Sequence, residues 1–147
     1  MNKKDILEKG KEVLRVESAA IINLAKGLDE NFFKAIKLII QHEGKLILSG
    51  VGKSGNIAGK LAASFTSTGV PAIYLNPVDA SHGDMGIVNE GDILIVLSNS
   101  GESHELSDLI DFAKKKLIKI IAITSYKKSL ISKNADVSLV LPPHKEA

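Results

Sequence analysis

Five short apolar runs constrain this chain more than any other feature: "KLILSG" (45–50), "PAIYLN" (71–76), "DILIVLS" (92–98), "IKIIAIT" (118–124) and "DVSLVLP" (136–142). Four of them are nearly continuous in apolar residues, with little alternation. That is the pattern of strands covered by helices on both faces of a parallel sheet. Helix-like segments at 54–68, 103–116 and about 127–134 fall between the runs. The prediction is an α/β fold: a five-stranded, doubly wound parallel sheet with right-handed crossovers. Two helices come first. Residues 4–26 carry Ile6, Leu7, Val13, Leu14, Val16, Ala20, Ile21 and Leu24 at roughly helical spacing, with Gly27 to end the helix. Asp29 is placed to cap a second helix that runs to about Glu43, with Phe32, Phe33, Ile36, Ile39 and Ile40 as its apolar face. At 147 residues, one domain over 1–147 is enough to bury a core.

Composition excludes several classes. Nineteen Lys plus Arg against seventeen Asp plus Glu leave a net charge of +2, too weak a bias for nucleic acid or a membrane surface as partner. No apolar run approaches the ~18 residues of a membrane span, the start is charged, and there is no cysteine. A cytoplasmic protein is expected. No His/Cys/Asp/Glu group has metal-ligand spacing, so no metal is expected.

"GVGKSG" (50–55) overlaps two phosphate-binding signatures. A nucleoside-triphosphate loop needs glycine five positions before Gly52, where Ile47 stands in the strand, so that reading fails. A dinucleotide turn expects an acid about 20 residues on, near the end of the second strand, and "VPAIYL" has none. The motif can also be a tight strand-to-helix turn without a ligand. It does not stand alone, because "SNSGESHE" (98–105) follows the third strand. Ser98, Ser100 and Ser103 supply hydroxyls there, Gly101 allows close backbone approach, and a helix starting near Ser103 aims free N–H groups at the same place. Such a cradle suits a terminal phosphate monoester; the plainer alternative is a serine N-cap. Loops after the first and third strands share the carboxyl edge of a parallel sheet, where ligands bind at a switch in strand order. The connection 76–91, "NPVDASHGDMGIVNEG", is expected to be a long loop without a helix of its own, and hence functional.

"SNSGES" in a strand–loop–helix setting, preceded by "GVGKSG", resembles the sugar isomerase (SIS) domain, a flavodoxin-like phosphosugar-binding fold. Within that family, "GKEVLRVE", "GVGKSGNIAGKLAASFTSTGVPAIYLNPVDASHGDMG", "SNSGESHEL" and "KEA" together resemble the D-arabinose 5-phosphate isomerases. The resemblance implies interconversion of D-arabinose 5-phosphate and D-ribulose 5-phosphate through an enediol(ate), with no cofactor, on the way to 3-deoxy-D-manno-octulosonate. It implies catalytic roles for Lys53, His82 and Glu105. Lys53 would stabilise the enediolate or phosphate, His82 would shuttle protons or open the sugar ring, and Glu105 would be a base or hydrogen-bonding partner. Ser98, Asn99, Ser100 and Ser103 would hold the phosphate, with Ser54 beside it. Each residue also has a plainer alternative: Lys53 as a solvent lysine, Glu105 as a complement to the helix dipole. His42, His104 and His144 are expected at the surface. The resemblance further implies a homo-oligomer, commonly a tetramer, and the first helix, rich in Ile, Leu and Val, would suit that packing. It also implies that the family continues past "KEA" to another catalytic histidine, so that the chain is expected to be truncated at its C-terminal end. Two other readings remain open. A phosphosugar-sensing module of a transcription regulator would need a helix-turn-helix domain, and the 44 residues before the first strand lack a basic recognition face. An isomerase for a longer sugar phosphate would use the same serine cradle.

Overall fold

The computed structural model describes residues 2–143, so His144 and the "KEA" stretch lie outside the described residues. The chain begins with α1 (Lys3–Lys26) and α2 (Glu30–Gln41). Both starts follow from their caps. Asn2 and Asp5 form a reciprocal capping box on α1, and the Asp29 carboxylate accepts from Asn31 N and Phe32 N at the head of α2. Their fates differ. Helix α2 buries Ala35 and packs on the sheet, whereas no residue of α1 is buried.

Strands β1 (Leu46–Gly50), β2 (Ala72–Tyr74), β3 (Ile93–Leu97), β4 (Lys119–Thr124) and β5 (Val137–Val140) make one parallel sheet in the order β2-β1-β3-β4-β5. Between them run α3 (Lys53–Ser67), α4 (Pro77–Ser81), α5 (Ser107–Lys115) and α6 (Leu130–Asn134). The continuous apolar runs are explained by two cores. Ile47, Leu94, Val96, Ile120 and Ala122 face α4, α5 and α6, through Ala80, Leu109, Ile110 and Ile131. Their neighbours Leu46, Leu48, Ile93, Ile95 and Ile121 face the opposite way, toward Ala35 of α2 and Ala58 and Ala62 of α3. Successive side chains of a strand point to opposite faces, so a sheet covered on both must be apolar at every position.

The connection 76–91 corrects the expectation of a helix-free loop. It holds α4 and a 3-10 turn, Asp84–Ile87. The Asn76 side chain accepts from Val78 N at 3.0 Å and Pro77 occupies the first helical position, where its missing N–H costs nothing. The segment expected as one helix from Ser103 divides into a 3-10 turn, His104–Leu106, and α5. His42 is also not a surface residue. It ends α2 half-buried, with Nδ1 against the Ile39 carbonyl and Nε2 buried without a partner among the described residues. No described helix is long and apolar enough to cross a membrane.

Candidate active site

Strand order reverses between β1 and β3: the chain leaves β1 for β2 on one side and resumes with β3 on the other. The loops after these two strands therefore diverge and open a crevice at the carboxyl edge. Gly50 and Leu97 are paired in register, which sets the two loops side by side.

The first loop is the β1–α3 turn. Gly52 sits at φ 58°, ψ −124°, and Lys53 directly after it opens α3 with an exposed side chain, while Ser54 is half-buried. A side chain at Gly55 has no room, since its Cβ would lie 2.6 Å from Gly50 O and 2.7 Å from the Tyr74 hydroxyl. That hydroxyl donates to Gly50 O at 3.0 Å and so ties the turn to β2. Partial burial, with a smaller contribution from the Asp79 charge, raises the Tyr74 phenol above its ordinary pKa.

The second loop is built from hydroxyls. Ser98, buried at the end of β3, has its Oγ 2.8 Å from Ser103 Oγ and accepts from Gly101 N at 3.0 Å. Ser100 Oγ accepts from Glu102 N at 3.3 Å. Asn99 is turned toward β4: its carbonyl accepts from Ser125 N and Thr124 Oγ1, and its side-chain oxygen accepts from Ser125 Oγ at 2.6 Å. Ser103 occupies the N-cap position of the 3-10 turn without capping it, because its hydroxyl is paired with Ser98. The plain N-cap reading therefore does not describe it. Gly101 takes φ 69°, and a Cβ there would come within 2.1 Å of Ser129 Oγ. Only glycine fits.

His82 ends α4 with an exposed side chain, its N–H bonded to Asp79 O. Helix α4 packs on α5 and on the 3-10 turn that carries Glu105, and Ser81 Oγ donates to Asp108 Oδ2 at 3.0 Å across that contact. His82 and exposed Glu105 thus stand on touching elements, beside the serine loop that leads into the second of them. The structure brings Ser98 and Ser103 into direct contact and sets Lys53 just past the adjacent strand end. Sequence reasoning misses Glu102, whose Oε1 accepts from Leu130 N at 3.0 Å, and Ser129, whose Oγ is buried without a partner among the described residues. The one local signal is "SGES", an acid set between two ligand-type serines.

A family model described as SIS domain matches residues 39–147. The chain belongs to the SIS domain family. A protein named arabinose 5-phosphate isomerase KdsD from Francisella tularensis is 43% identical over 139 residues, covering 92% of this chain and 42% of that protein. The KdsD of Escherichia coli K12 is 40% identical over 143 residues, covering 97% of this chain and 44% of that protein. The chain thus spans less than half the length of these curated relatives. Among solved structures, the c3406 protein of Escherichia coli CFT073 in complex with arabinose 5-phosphate superposes with a TM-score of 0.93 at 35% identity, covering 99% of this chain and 78% of that one. SIS architecture, the five-stranded parallel sheet and the two leading helices agree with the expectation from sequence.

Proposed function

We propose that this chain is the isomerising domain of an aldose–ketose isomerase that interconverts D-arabinose 5-phosphate and D-ribulose 5-phosphate. One observation carries the reading: the hydroxyl-lined loop 98–103 adjoins the Lys53 turn at the switch point, in a chain about 40% identical to proteins named for that reaction. Ser98, Ser100, Ser103 and the backbone of their loop hold the phosphate, with Asn99 and Ser54 at its margin. The proton on C2 of the open-chain aldose leaves to a base and returns to C1; O1 gains a proton and O2 loses one. Oxidation at C2 balances reduction at C1, so the step needs no external redox partner. Glu105 is the proposed base, His82 opens the ring and moves the proton between oxygens, and the Lys53 ammonium stabilises the enediolate charge. Run in the opposite direction, the same step yields D-arabinose 5-phosphate, which feeds 3-deoxy-D-manno-octulosonate synthesis for lipopolysaccharide, in the cytoplasm. The exposed apolar residues of α1 support self-association, here proposed as a homotetramer.

The test is ketose formation from D-arabinose 5-phosphate, with D-glucose 6-phosphate and D-fructose 6-phosphate as controls. It uses this chain and a chimera that continues it with the C-terminal part of the Francisella relative. Turnover of the five-carbon substrate alone is expected, at least in the chimera. Binding without conversion in both would replace the isomerase with a phosphosugar-sensing module.

A further inference from the structure

The serine loop is held in shape from behind. Glu102, an exposed residue, reaches α6 with its carboxylate, where Oε1 accepts from Leu130 N at 3.0 Å. One residue earlier, Gly101 O accepts from Ile131 N at 3.1 Å. Ser129, the N-cap residue of α6, makes no side-chain cap, and its hydroxyl lies under the Cα of Gly101. The first two N–H groups of α6 are therefore satisfied by the phosphate loop, where a capping side chain of the helix would ordinarily serve. Gly101 O shares its peptide with Glu102 N, so the bond from Ile131 N fixes the direction in which Glu102 N donates to Ser100 Oγ, while the Glu102 side-chain bond holds the adjoining residue to α6; Gly101 N, on the preceding peptide, donates to Ser98 Oγ. The Ser100 hydroxyl is thus bonded by the peptide docked on α6, and the Ser98 hydroxyl by the peptide immediately before it.

We infer that Glu102 is a positioning residue for anion binding: it clamps the 98–103 loop to α6 so that its hydroxyls converge on one phosphate. The inference rests on the proposed function of that loop. An acceptor oxygen, and no charge, is what the clamp requires, so Glu102→Gln should preserve it and Glu102→Ala should not. A net hydrogen bond of about 1 kcal/mol corresponds to roughly a fivefold change in affinity.

Calorimetry with inorganic phosphate and with D-arabinose 5-phosphate, on the wild-type chain and both variants, reads this directly. About fivefold weaker binding of both ligands is expected for Glu102→Ala, and wild-type affinity within about twofold for Glu102→Gln. In the chimera, KM should rise with kcat nearly unchanged. Amide exchange at Leu130 and Ile131 supplies an independent reading, faster in Glu102→Ala and near wild type in Glu102→Gln. Wild-type affinity in Glu102→Ala overturns the inference, as does a Glu102→Gln variant impaired as much as Glu102→Ala. Should the wild type bind neither ligand, the proposed function of the loop falls, and the positioning role falls with it even if amide exchange shows the clamp.

Discussion

The two ends of the sheet use polar groups in opposite ways. At the amino end an aspartate precedes each of two strands and directs its oxygens to the neighbouring chain. Asp92, before β3, accepts from Lys45 N and Lys45 Nζ, both at 2.8 Å, and from Asn89 N at 2.8 Å. Asp136, before β5, accepts from Ile120 N at 2.9 Å and Lys119 Nζ at 2.8 Å. These carboxylates are satisfied within the domain and leave nothing for a ligand. At the carboxyl end the hydroxyls of Ser98, Ser100 and Ser103 bond mainly to one another and to their own loop, while Lys53, His82 and Glu105 stand exposed. Closure of the fold is concentrated at one end, and groups able to meet a substrate at the other. Substitutions at the amino end should therefore cost stability, and those at the carboxyl end activity.

Lys53→Ala or His82→Ala in the chimera should lose turnover by at least about a hundredfold, with an unfolding midpoint within about a degree or two of wild type. An active variant removes that residue from the machinery. A variant that melts early moves it into the stability half of the comparison. Gly101→Ala comes next. Its Cβ would collide with Ser129 and Thr124, so phosphate binding should be lost, and Ser129→Gly in the same chain should recover part of it.

At the amino end, Asp92→Ala leaves three donors without their acceptor and should destabilise by about 2–3 kcal/mol in urea titration, with turnover unchanged. The same change at Asp136, which is more exposed, should cost about 1 kcal/mol. Equal costs would show that burial does not set the difference. The pH dependence has a definite sign. Burial alone would raise the Asp92 carboxyl, but hydrogen bonds from Asn89 and Lys45 and the Lys45 charge outweigh it and hold its pKa below the ordinary carboxylate value. A carboxylate with a depressed folded pKa stabilises the fold above its unfolded pKa and loses that contribution as pH falls through the folded one. Wild-type stability should therefore fall across that acidic window, and the stability of Asp92→Asn, which carries no titrating group there, should fall less steeply over the same range.

Much of this is legible in the sequence. Unbroken apolar runs have few explanations other than a sheet covered on both faces, and Gly52 and Gly101 punctuate strand ends where only such turns fit. Helix α4 is obscured because five residues are too few for apolar periodicity to register, although Asn76-Pro77 is itself a helix-start signal. His42 reads as a surface histidine because nothing local shows that the end of α2 is half-buried. The Glu102–Leu130 bond joins residues 28 apart, a separation at which no spacing rule operates. Asn99 groups with the serines by its place in the motif, and its bond to Ser125 depends on β4 lying beside β3.

The crevice between the β1 and β3 loops is the proposed seat of the sugar phosphate. Backbone amide shifts of the labelled chain, followed as D-arabinose 5-phosphate is added, test it most directly. The largest changes are expected at 98–103 and 52–55, with smaller ones near His82. Changes centred instead on the groove of about 270 Å³ over β5, lined by Leu24, Leu28, Phe32, Leu139 and Leu141, would contradict it.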